Sequence, residues 1–235
     1  MSEATILSGL SVGFLLGLKH ALDADHIMAV TTIVSRSRSL LRVALVGLSW
    51  GIGHTITLFA VGLAVLVFKL NIPDRIALSA EFVVGVILVI LGVPLIRRLV
   101  AGKDHIHLHQ HGDSRHLHTH SHDENPAHEH QHVRRSLLIG MLHGLAGSGA
   151  LTVLVLSTMP SVTHGLLFLL LFGIGSILAM LLFSGLIGLP FKLTDGLSLR
   201  LNLWVQGVAG IVSVALGIFI MWQIGFVGGL FLPTT

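Results

Sequence analysis

Residues 4–34 read ATILSGLSVGFLLGLKHALDADHIMAVTTIV, an apolar stretch interrupted by Lys19, His20, Asp23, Asp25 and His26. Its length decides the fold class, because 31 helical residues reach about 46 Å while a bilayer's hydrocarbon core is about 30 Å thick. The segment is long enough to cross a membrane, and too long to cross it as a straight perpendicular helix. It must tilt strongly or break, and a break is expected at the HALDADH motif, His20 to His26.

The rest of the chain has the same character. Of its 235 residues, 53% are hydrophobic and only 11% charged, whereas a soluble domain carries roughly a quarter charged residues to cover its surface. Hydropathy and helix breakers place six spans, at Ala4 to Val34, Val43 to Phe68, Ile76 to Ile96, Ser136 to Met159, Gly165 to Pro190 and Leu203 to Phe226. The fold class expected is all-α, a polytopic membrane protein of six transmembrane helices. The N-terminal MSEATILSG lacks the basic region of a cleavable signal peptide, so the first span is expected to be retained. There is no cysteine, which removes disulfides, thiolate metal sites and any thiol relay.

Basic residues set the orientation. Arg36, Arg38, Arg42, Arg97, Arg98, Lys103, Arg115, Arg134, Arg135, Lys192 and Arg200 follow odd-numbered spans, and only Lys69 and Arg75 lie on the other side. By the positive-inside rule the odd-numbered connections are cytoplasmic and both termini extracytoplasmic, in a cytoplasmic (inner) membrane. The high isoelectric point therefore reflects span ends, and no nucleic-acid partner is read from it.

At an offset near 123 residues, Gly17, His20 and Leu22 align with Gly140, His143 and Leu145. Gly51 to Gly53 then align with Gly173 to Gly175, His54 with Ser176, and Glu81, Gly85 and Gly92 with Gln206, Gly210 and Gly217. Two three-span units, residues 1–96 and 136–235, joined by a loop over 97–135, would be inserted in opposite senses. Such inverted 3+3 repeats let a transporter alternate access around a site near the midplane.

Ionisable groups inside spans cost about 2.5–3.5 kcal/mol each even on insertion scales, so they mark functional sites by default. Here they are Lys19, His20, Asp23, Asp25, His26, His54, Glu81 and His143. On an unbroken helix His20, Asp23 and His26 share an arc about 120° wide, with Asp25 pointing elsewhere. Either the helix breaks and turns Asp25 inward, or Asp25 serves Lys19 or another span. Imidazole with a few carboxylates and no thiolate suits nickel, cobalt, zinc or oxidised copper rather than magnesium or calcium. One Asp is expected to hold a His ring in the right tautomer. His143 and Ser148 in the second half, and Glu81, are further candidates for ligation or for support of the ligands.

HALDADH and the Gly53-His54-Thr55 of span two resemble the signatures of the nickel/cobalt transporter family. The six spans and the long His-rich loop look most like its smaller relatives, among them the urease accessory membrane proteins. The resemblance implies His20, Asp25, His26 and His54 as metal ligands, with Ni²⁺ or Co²⁺ as transported substrate and no cofactor required. It implies uptake or efflux of these ions, or delivery of nickel to an enzyme-maturation system or metallochaperone. The acidic second-half motif of the eight-span members is not matched at His143 to Ser148.

Between the halves stand His105, His107, His109, His111, His116, His118, His120, His122, His128, His130 and His132. This polar, low-complexity stretch is expected to be disordered without metal and to act as a cytoplasmic metal buffer. Its affinity should fall as pH drops through about 6.5 and imidazoles protonate. No Walker-type phosphate loop is present, so ATP hydrolysis is not expected, and the chain reads as a non-enzyme.

Overall fold

A computed structural model describes residues 3–35, 37, 39–70, 72–101, 107–111, 114–118, 129–159 and 161–232. The described residues form helices α1 (Glu3–His20), α2 (Ala24–Val34), α3 (Leu40–Phe68), α4 (Asp74–Ala101), α5 (Glu129–Thr158), α6 (Val162–Leu197) and α7 (Leu199–Trp222), the last running into a π-helical turn at Gln223–Val227. α3, α4, α6 and α7 are each long and apolar enough to cross a membrane. Their outer faces carry exposed apolar side chains such as Ile90, Leu182, Leu186 and Phe219, as a surface turned to lipid requires.

The first expected span is two helices. α1 tightens at its end, where the Leu22 and Asp23 amides donate to the carbonyls three residues back at Lys19 and His20. The chain then restarts at Asp23, whose extended backbone (φ −61°, ψ 145°) occupies the N-cap position of α2. The Asp23 side chain makes no capping bond, because it is engaged elsewhere. Asp25 in the first turn lies where the helix dipole favours a negative charge.

Small residues set the packing. α3 lies against α5 and α6, α1 against α6, and α4 against α7. In the α1–α6 seam, a Cβ on Gly17 would run into the backbone of Phe172, and one on Gly175 into the Phe14 carbonyl and the Leu18 amide. The α3–α5 seam has the same form, with Gly140 against the backbone of Trp50 and Gly53 against the Leu137 carbonyl and the Met141 amide. α4 and α7 meet through Gly85 against Gly217 and Gly92 against Gly210, each glycine facing the other's carbonyl. Glycine is required at these crossings because any side chain would push the backbones apart.

Apolar clusters fill the remaining interior. One gathers Ala21, Val30, Val34, Val43, Val46, Trp50, Ala179 and Met180, joining α2, α3 and α6. The other joins Leu58 and Leu66 of α3 to Phe168, Leu169 and Phe172 of α6.

Two short strands are described in the loop between the halves. His107–His111 and Ser114–His118 pair as antiparallel strands β1 and β2, with His107 opposite His118 and His109 opposite His116. Their alternating His/Leu pattern has the period of a strand, and the intervening Gly112-Asp113 is a hairpin dipeptide by sequence. α4 also runs past Ile96 to Ala101, and α5 begins at Glu129, ahead of the expected Ser136.

Candidate metal centre

The break between α1 and α2 brings both ends of HALDADH to one point. His20 closes α1 and His26 lies in the first turn of α2, with ring centroids 4.6 Å apart. α3 delivers His54 between them, 5.1 Å from His20 and 5.2 Å from His26. One ligand atom from each of the three rings lies within 4.8 Å of the others. A first-row divalent ion bonds imidazole nitrogen at about 2.0–2.1 Å, which places donor atoms no more than about 4.2 Å apart. The 4.8 Å spread of the three ligand atoms is close to that spacing.

Two carboxylates fix these rings from behind. Nδ1 of His20 lies 2.8 Å from Asp23 Oδ2, and Nδ1 of His26 lies 3.0 Å from Asp25 Oδ1. An ionised carboxylate can only accept, so Nδ1 donates and Nε2 of the neutral ring carries the lone pair. The family resemblance implies Asp25 as a ligand beside the three histidines, while helical angles favour Asp23, which leaves open which Asp faces the site. The structure sets both carboxylates against imidazole N–H groups, and the broken helix lets them do so.

On the inner side the rings have no protein partner among the described residues. Nε2 of His20, Nε2 of His26 and both ring nitrogens of His54 are buried without a hydrogen bond. Leaving one such buried group unsatisfied costs about 1–3 kcal/mol. Several of them meet at one point.

The second half contributes His143 from α5, whose ring lies 5.4 Å from that of His26. Glu81 is half-buried on α4 and outside the three-ring group. Ser148 falls within α5, and its side chain lies outside the described residues. His107, His109, His111, His116 and His118 fall on the hairpin and His130 and His132 on α5, where the backbone alone is described; His105, His120, His122 and His128 lie outside the described residues.

Sequence reasoning missed Trp50. Its fully buried indole stacks on His54 at 5.6 Å with planes 11° apart, meets His26 edge-on at 4.7 Å and lies 5.0 Å from His143. The available signal was its spacing, since Trp50 precedes His54 by four residues and so shares its face of α3. Phe172 of α6 closes the opposite side, 5.3 Å from His20.

Several apolar helices of spanning length, packed around converging imidazoles, define a multi-pass membrane protein. Residues 74–219 match the family described as cytochrome C biogenesis protein transmembrane region, and the chain belongs to it. It belongs equally to the family of the urease accessory protein UreH of Bacillus sp. (strain TB-90), to which it is 41% identical over 231 residues, 98% of either chain. The matched family is, by its description, a transmembrane region. No solved structure matches the chain.

Proposed function

We propose that this protein carries a divalent transition-metal ion, nickel and with it cobalt, through the membrane by way of His20, His26 and His54. Asp23 and Asp25 hold the first two rings in the tautomer that presents Nε2. The observation that carries the reading is the convergence of these three imidazoles with buried, unpartnered nitrogens. Nitrogen donors backed by carboxylates suit borderline ions and disfavour magnesium and calcium. The name of the UreH relative, a urease accessory protein, agrees with nickel as the ion. So does the resemblance of HALDADH and Gly53-His54-Thr55 to the nickel/cobalt transporter signatures.

The six expected spans form two three-span units of opposite insertion in this reading, with α1 and α2 together making the first span. Its support is an exchange of contacts. Gly17 meets Phe172 as its counterpart Gly140 meets Trp50; Gly53 meets Leu137 and Met141 as Gly175 meets Phe14 and Leu18; Gly85 meets Gly217 as Gly210 meets Gly92. Each contact maps onto another when the halves are swapped, which is the signature of a two-fold axis between them.

The direction proposed is uptake. A divalent cation gains about 4.6 kcal/mol on entering across 100 mV, negative inside, so import needs no ATP. The relative's name also favours a second role, as the membrane accessory that passes nickel to an enzyme-maturation system. Radioactive nickel flux in cells expressing the wild type, His20→Ala or His26→Ala tests the site. Loss of inward flux in both variants is expected. Outward flux lost in both would assign efflux, and flux unchanged in both directions would end the proposal.

A further inference from the structure

The three-histidine cluster belongs to the first half of the chain, yet a fourth imidazole is set against it from the second. His143 is 1% exposed and lies among His26, Trp50 and the small residues of α5. Its Nδ1 lies 3.1 Å from the Ile139 carbonyl one turn back. A carbonyl has nothing to donate, so Nδ1 carries the proton and Nε2 of the neutral ring carries the lone pair. That Nε2 is buried and unpartnered among the described residues, like those of His20 and His26. All three rings therefore have the same design, an acceptor behind Nδ1 and a bare Nε2, which is how proteins orient imidazoles toward a metal.

His143 stands outside the three rings whose ligand atoms lie within 4.8 Å of one another, and the glycines of α5 bring its helix against them. Gly144 packs on the backbone of His54, and a Cβ on Gly147 would stand 3.4 Å from Nε2 of His20. These glycines bring α5 close to the site without adding a competing hydrogen-bond donor. The centroid separation of 5.4 Å from His26 is close to the 5.1 and 5.2 Å that separate His54 from His20 and His26.

We infer that His143 is the fourth ligand of the ion held by His20, His26 and His54, so that the ion sits on the seam between the two halves. The inference rests on the metal-site reading above and deepens it. Swapping the halves exchanges His20 with His143, but His54 then falls on Ser176 and His26 on Gly149. The second half has no triad of its own. One four-imidazole site results rather than two sites, and ion binding ties α5 to α1, α2 and α3.

The test is Ni²⁺ titration of the full-length purified protein, followed by quenching of Trp50 fluorescence. Subtracting the response of a Trp50→Phe variant isolates this site from ions held by the His-rich loop. Co²⁺ absorption, compared between wild type and variants, reports the ligand count. His143→Ala and the volume-preserving His143→Gln should each weaken the Ni²⁺ midpoint about tenfold or more and change the Co²⁺ spectrum. Ni²⁺ should also raise their melting temperature less than that of the wild type. Midpoints and spectra unchanged in the His143 variants but lost in His20→Ala would overturn the fourth ligand and leave the triad standing. Midpoints unchanged in His20→Ala and His26→Ala as well would remove the underlying site.

Discussion

At the scale of single residues, the carboxylate of Asp25, 3.0 Å from Nδ1 of His26, shows how the site is held. In the proposed site it acts by orienting the His26 ring rather than by binding the ion. Removing such a partner costs a metal site about 10–100-fold in affinity. Asp25→Ala is therefore expected to weaken nickel binding within that range, measured by titration on the purified protein. Asp25→Asn, which keeps an oxygen that can accept from Nδ1, should lose less; an equal loss in both would mean that the charge rather than the hydrogen bond matters. The histidines were legible in the sequence, because an ionisable ring is costly inside a span and four of them together point to a shared ligand. The sequence expected one Asp to orient a His ring but did not show which, because helical angles assume a continuous helix and the chain breaks between His20 and Ala24. Trp50 was invisible for another reason: a lone aromatic in an apolar span reads as core.

At the scale of elements, the seams are fixed by glycines whose missing side chains let backbones meet. Gly140 packs on α3 beside Trp50, four residues from His54, so this seam positions the site as well as the fold. Gly140→Val should destabilise the protein by about 1–3 kcal/mol, the usual cost of overpacking. It should also reduce nickel flux, because α3 must shift away from α5. Gly185 supplies the control, as a Cβ there would meet nothing within 4 Å among the described residues. Thermal unfolding in detergent should show a lowered midpoint for Gly140→Val and no loss for Gly185→Ala. Ordered glycines at a fixed offset were readable in the sequence, but not their partners. Gly85 is aligned with Gly210 yet faces Gly217, a pairing that aligning the two halves does not itself reveal.

For the whole molecule, the proposed uptake turns on which side of the membrane the His-rich loop faces. Removing residues 105–132 should lower the number of ions bound per protein while flux through the intramembrane site continues, and flux abolished by this deletion would make the loop part of the path. Its ions should be released as pH falls through about 6.5, since a protonated imidazole has no lone pair to give. Whether this store serves import depends on its facing the cytoplasm, and the absence of cysteine makes that directly measurable. A single cysteine replacing exposed Leu70 or Thr163 lies, by the distribution of charge, in an extracytoplasmic connection; one at exposed Ala101 or Ser198 lies on the cytoplasmic side. Eleven Lys and Arg residues flank one side of the spans and two the other, and short basic loops resist translocation. A membrane-impermeant maleimide added to intact cells should label Leu70→Cys and Thr163→Cys and should reach Ala101→Cys and Ser198→Cys only after lysis. The opposite pattern would turn the loop outward. The store would then lie at the entrance used by incoming ions, and it could no longer act as the sink that draws nickel down its electrical gradient.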